Sequence, residues 1–213
     1  SPGDAASIPG IARLARNAGN YMARRNVTVT KSGTGVGTVS TATGLLCGTS
    51  CSQIFGFSST PAFTPTPAPD SQFKGWSGAC TGIGSCTPTI LGSDLSIGAV
   101  FDLASFGSKT QVTLSATSTK IGSSGKLKVR IRNRNDFSVK GSLAGTVGKA
   151  KIKSKSFAIK AKGSKTVQLK LSKSLQKLLL EKGKLKVQLK AKLKSPSGKS
   201  RTVKKKLTLK PKS

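Results

Sequence analysis

The chain has 213 residues, 35% of them hydrophobic, and a formal net charge of +31 from 37 Lys/Arg against 6 Asp/Glu, with no histidine. Such a chain can close two cores of roughly 100 residues each, which excludes disorder throughout, and no stretch reaches the roughly 18 continuous apolar residues of a membrane-spanning helix. Without histidine, and with Asp4, Asp70, Asp94, Asp102, Asp136 and Glu181 scattered thinly, the sequence holds no Ser-His-Asp or Cys-His arrangement and no close carboxylate pair, so no enzyme, cofactor or small-molecule substrate is expected.

The charge is unevenly placed. Residues 1–108 carry six Lys/Arg and four Asp, net +2, whereas residues 109–213 carry thirty-one Lys/Arg against Asp136 and Glu181, net +29. A division this sharp marks two domains under different constraints, and it makes anionic polymers the natural partners of the second. Teichoic acid, acidic polysaccharide and DNA satisfy that requirement equally.

The chain opens on Ser1 rather than Met, as a processed or excised chain does. Residues 1–25 then take a helical pattern: Ile11, Leu14, Ala18, Tyr21 and Met22 recur at intervals of three and four, with Arg13, Arg16 and Arg24 elsewhere on the wheel. This predicts a short amphipathic N-terminal helix that must pack on something to be stable.

From Asn26 to Leu103 short strands alternate with glycine. Val27 and Val29 alternate with threonines, Gly33-Thr34-Gly35 turns, Val36 to Val39 returns, and later strands are expected at Ser52–Phe57, Gln72–Trp76, Thr87–Leu91 and Leu95–Phe101. The stretch holding Pro61, Pro65, Pro67 and Pro69 permits an ordered loop or at most an edge strand, because proline cannot donate to a ladder. Trp76, the sole tryptophan, reads as a core anchor in a domain poor in aromatics.

All four cysteines fall in this half, spaced CxxxC (Cys47, Cys51) and CxxxxxC (Cys80, Cys86). Neither spacing is the CxxC of a zinc knuckle, and small polar surroundings suit two local disulfides in an oxidising, extracellular or cell-surface setting. The other two pairings, and four free thiols, remain open on spacing alone.

The order of motifs carries more information. Val27-Thr-Val-Thr-Lys-Ser-Gly-Thr-Gly-Val-Gly-Thr-Val39, Gly44-Leu-Leu-Cys-Gly-Thr-Ser-Cys51, Phe73-Lys-Gly-Trp-Ser-Gly-Ala-Cys80, Gly84-Ser-Cys86 and Ala99-Val-Phe101 together resemble the divergent internalin-B-type repeat of secreted and surface-attached bacterial proteins. The resemblance covers residues 26–103 and implies a small β-grasp-like module with the two local disulfides. It also implies a spacer or adhesion unit. Pro61 and Pro65 depart from the alternating Val/Leu strand of that family.

After a linker at 104–108, residues 109–213 alternate with period two. Leu185, Val187, Leu189, Ala191 and Leu193 take one face and Lys184, Lys186, Gln188, Lys190, Lys192 and Lys194 the other. Val112, Leu114 and Ala116, then Leu127, Val129 and Ile131 against Lys126, Lys128, Arg130 and Arg132, then Val167, Leu169 and Leu171, and finally Val203, Leu207 and Leu209 follow the same rule. Ser174 is expected to cap a short helix burying Leu175, Leu178 and Leu179, with Gly183 as its stop. About seven strands and one such helix predict an immunoglobulin-like β-sandwich, so the fold class is all-β. This half resembles the Lys-rich sandwich domains that close some exported bacterial proteins, where a Leu-rich turn precedes a strand like Gly183 to Val187.

The residues expected to hold a polyanion are Lys126, Lys128, Arg130 and Arg132 on one strand, Lys184, Lys186, Lys190, Lys192 and Lys194 on another, and Lys204 and Lys206 near the end. Only four arginines and two phenylalanines fall in residues 109–213, which argues against base reading and base stacking. The expected function is a non-catalytic, exported structural or adhesive protein of the bacterial surface or matrix, able to form a homo-oligomer or filament. The rival is a sequence-independent binder of nucleic acid or another polyanion.

Overall fold

The computed structural model describes residues 24–48, 50–109 and 111–212, and these form an all-β protein with one helix. The helix expected in residues 1–25 lies outside the described residues, except that Arg24 leads into a strand and Arg25 belongs to it. The chain divides into two compact units, Ser1–Asp102 and Leu103–Ser213.

Unit 1 contains β1 (Arg25–Ser32), β2 (Gly37–Thr41), β3 (Leu46–Cys47), β4 (Ser50–Phe55), β5 (Phe63–Pro67), β6 (Ser71–Gly78) and β7 (Leu95–Leu103). A four-stranded sheet has the order β4-β1-β7-β6 and a three-stranded sheet the order β3-β2-β5. The strands β1 and β7 are parallel, from Val27 opposite Leu95 to Ser32 opposite Val100, so the unit's first and last strands form the centre of the larger sheet. Alternation sends Val27, Val29, Ile97, Ala99 and Phe101 inward to meet Val39, Phe55, Phe63 and Ile90.

Trp76 is buried, and its indole N–H donates to the Gly84 carbonyl at 3.0 Å while its ring meets Phe73 edge-on. The anchor role is met with its polar edge satisfied. Gly33, at φ +100°, makes the turn out of β1, and a side chain there would collide with the Phe101 carbonyl. Only glycine fits both the backbone and the gap.

Cysteine pairing is local: Cys47 joins Cys51, tying β3 to β4, and Cys80 joins Cys86, closing the loop after β6. In the chain-entropy model each loop contributes about 2 kcal/mol. The proline stretch forms β5 after all, at the edge of its sheet, with Pro65 opposite Val39 and Pro67 opposite Gly37. Thr87–Leu91 forms no strand; Pro88 lies within it, and Ile90 is instead buried from a loop pinned by hydrogen bonds with Ser58 and Ser59.

Unit 2 contains β8 (Val112–Ala116), β9 (Lys120–Ile121), β10 (Lys126–Asn133), β11 (Val139–Val147), β12 (Ala150–Ile159), β13 (Ser164–Lys170), α1 (Lys173–Lys182), β14 (Leu185–Lys194) and β15 (Ser200–Pro211). Two sheets, β13-β10-β8 and β12-β11-β14-β15-β9, form an immunoglobulin-like sandwich. Their inner faces bury Leu127, Val129, Ile131 and Leu169 against Leu143, Phe157, Leu189 and Leu193. Each fully buried aliphatic side chain of this kind is worth roughly 1.5–3 kcal/mol of transfer free energy.

The strands β11 and β12 had no alternating signature to announce them. Gly141 and Gly145 interrupt β11, and a register shift between Leu143 and Gly145 sets one residue of β11 against two of β12. The helix is capped by Ser172 rather than Ser174: the Ser172 hydroxyl accepts from the Leu175 N–H at 3.3 Å, and Gly183 closes the other end at φ +65°. Leu175 and Leu179 are buried, with Leu178 packed partly against the core. The segment 104–108, expected as a linker, instead delivers Ala104 and Phe106 to the core, Phe106 packing edge-on against Phe137. An aromatic followed by glycine and serine hid the burial of a single large side chain.

Candidate polyanion interface

Strict alternation in β14 leaves Lys186, Gln188, Lys190, Lys192 and Lys194 exposed while Leu185, Val187, Leu189, Ala191 and Leu193 are buried. On β15 the same parity exposes Thr208, Lys206, Lys204, Thr202 and Ser200, and on β11 it turns Thr146, Ala144, Ser142 and Lys140 outward. Register then assembles these into rungs across the outer face of the five-stranded sheet. Lys186 lies opposite Thr208; Thr146, Gln188 and Lys206 align; Ala144, Lys190 and Lys204 align; so do Ser142, Lys192 and Thr202, and finally Lys140, Lys194 and Ser200.

Across β11, β14 and β15 every rung carries at least one lysine and two carry a pair, while β12 adds Lys151 opposite Thr146 and β9 sets Lys120 opposite Lys210. Successive rungs are two residues apart along the strands, about 7 Å. The face dips over the short side chains of β11. A depression of about 490 Å³ lies between Thr146, Gln188, Lys186 and Lys206, and it continues as one of about 240 Å³ over Ala144, flanked by Lys190 and Lys204.

Electrostatically the face is uncompensated. The sequence of β11, β14 and β15 contains no acidic residue, and among the described residues unit 2's ion pairs are Lys162 with Asp136 at 2.6 Å and Lys177 with Glu181 at 3.9 Å, both on other elements. Lys190 faces Lys204 and Lys140 faces Lys194 directly across the ladder, an arrangement that costs stability unless an anion sits between the ammonium groups.

The sequence-expected residues do not form one site. Lys126, Lys128, Arg130 and Arg132 lie on β10, the centre of the three-stranded sheet, where they are exposed on the outer face with Lys170 opposite Lys126. Lys186, Lys190, Lys192, Lys194, Lys204 and Lys206 lie on the outer face of the other sheet, so the sandwich core separates the two groups. Lys184 precedes β14, exposed beside the Gly183 stop. Period two fixes which side chains face out, but only long-range pairing decides which outward side chains are neighbours.

Sequence reasoning missed Lys140, which belongs with Lys194, because β11 went unrecognised. It also missed a third group, Lys151, Lys153, Lys170 and Lys173, around a cleft of about 530 Å³. Phe106, Phe137 and Phe157 are all buried, so neither lysine face offers a ring on which a base could stack. Among the described residues, no helix is long and apolar enough to cross a membrane.

No protein-family model and no curated protein matches this chain. Among solved structures the chain is similar to the major pilin subunit of Bacillus cereus, at 9% identity and TM-score 0.26 over 88% of this chain and 69% of that one. A variant of the same pilin subunit gives 11% identity and TM-score 0.26 over the same shares.

Proposed function

We propose that this is a non-catalytic, exported structural or adhesive protein of a bacterial surface or matrix, whose unit 2 holds anionic polymers by charge. Unit 1, resembling the internalin-B-type repeat in its motif order, serves as a disulfide-stapled spacer or assembly unit. The carrying observation is that the outer faces of both unit 2 sheets present lysines in register without an acidic residue among them. A coat meant only for solubility mixes both signs; a single-sign field stores repulsion that a polyanion relieves while releasing its condensed counterions. Paired cysteines support an oxidising compartment.

The test is binding of the full chain to anionic cell-wall polymer and to a neutral glycan of equal length at two salt concentrations. The expected result is binding to the anionic polymer alone, weakening steeply with salt; equal binding to the neutral glycan overturns the reading. Size-exclusion chromatography with electron microscopy tests the assembly role, and a strict monomer at every concentration removes it.

A further inference from the structure

We infer that the outer face of the five-stranded sheet is a track for a linear polyol phosphodiester lying along the strands, with one phosphate per rung. This rests on the reading of unit 2 as a polyanion binder and names the polymer's chemistry. The rungs headed by Lys186, Lys206, Lys190 with Lys204, Lys192 and Lys194 repeat every second residue, about 7 Å. An extended peptide advances three backbone bonds in about 3.6 Å, so six single bonds span about 7 Å. A phosphodiester bridged by three carbons, P–O–C–C–C–O–P, also repeats after six single bonds. Its negative charges therefore keep step with the lysines when the polymer lies fully extended along the strands.

The floor of the track supports the same chemistry. Thr146, Gln188 and Thr202 alternate with the lysines and offer hydroxyl and amide groups, the partners a polyol requires between its phosphates. A nucleic-acid single strand shares the six-bond repeat but gains much of its affinity from stacked bases, and this face bears no aromatic side chain and no arginine. Where Lys190 opposes Lys204, and Lys140 opposes Lys194, one phosphate converts a repulsive pair into two charge-assisted hydrogen bonds.

The experiment uses the full chain and three probes of matched charge: a glycerol-phosphate decamer, a single-stranded deoxyribo-oligonucleotide and a sulfated glycan. Two variants remove four cations each, K190Q/K192Q/K204Q/K206Q on the track and K160Q/K165Q/K177Q/K182Q at exposed positions outside both lysine faces. All eight side chains are exposed, and circular dichroism confirms that both variants fold. The track variant is expected to bind the decamer about 30-fold more weakly and to lower the salt slope by about 3, while the off-track variant stays within about threefold. Equal losses in the two variants overturn the track, as does an oligonucleotide or glycan binding as tightly as the decamer; in both cases polyanion binding itself survives. If none of the three probes binds, the proposed function falls with it.

Discussion

The two units meet the demands of stability and solubility by different means. Unit 1 has net charge +2, and residues 32–69, which include β2 through β5, contain no charged residue at all. It relies on two short disulfides and on glycine-tight turns, and its edge strand β4 leaves Ile54 62% exposed. Unit 2 has no cysteine, a larger continuous core, and lysines along its edges: β12 carries Lys151, Lys153 and Lys155, β13 carries Lys165 and Lys170. Lys205 on β15 even takes an inward parity, opposite Leu189, while remaining exposed. Charge on an edge strand discourages pairing with another chain, so unit 2's edges are guarded by lysine, whereas unit 1 relies on Pro65 and Pro67 at β5 and Lys74 on β6 and leaves β4 without a charge.

The sharpest break in that comparison comes from the cores. Leu127→Ala removes a fully buried side chain from the centre of unit 2 and is expected to cost about 3 kcal/mol in denaturant unfolding, with unit 1's near-ultraviolet Trp76 signal unchanged. Reduction with dithiothreitol reverses the target: unit 1 loses about 2 kcal/mol per disulfide, read from the Trp76 signal, while the cysteine-free unit 2 keeps its midpoint. A smaller change tests the cap. Ser172→Ala is expected to cost unit 2 about 1 kcal/mol and Ser174→Ala a few tenths at most, since it is the Ser172 hydroxyl that holds the Leu175 N–H.

The last effect has the opposite sign. Lys190→Glu replaces a like-charge pair with Lys204 by an opposite-charge one and is expected to raise unit 2 stability by about 0.5 kcal/mol at low salt, vanishing in 1 M salt. A loss of stability in that variant means the lysine pair is already compensated and the face is not poised for an anion.

Legibility followed regularity. Strands β10 and β14 were readable because each alternates without a fault from end to end, and α1 because its leucines keep helical spacing up to Gly183. The partners β11 and β12 were not, since Gly141, Gly145 and a bulge break the two-residue rhythm, and Lys153, Ser154 and Lys155 are all exposed in succession. Losing β11 also lost the rungs. A reader of the chain alone sees that Lys190 and Lys204 both face water, yet only the β14–β15 hairpin register makes them neighbours. Ser172 and Ser174 are chemically equal candidates for a cap, and what selects Ser172 is its position immediately after Leu171, which is fixed in the core.

The parallel pairing of β1 with β7 bears on how unit 1 responds to tension. The chain enters at the start of β1 and leaves at the end of β7, so its two ends lie at opposite extremities of one six-residue ladder. A pull on the chain therefore slides the strands past each other and loads all of those backbone hydrogen bonds together instead of peeling them one at a time. In the role proposed for unit 1, its grip is strongest along the direction in which it is stretched.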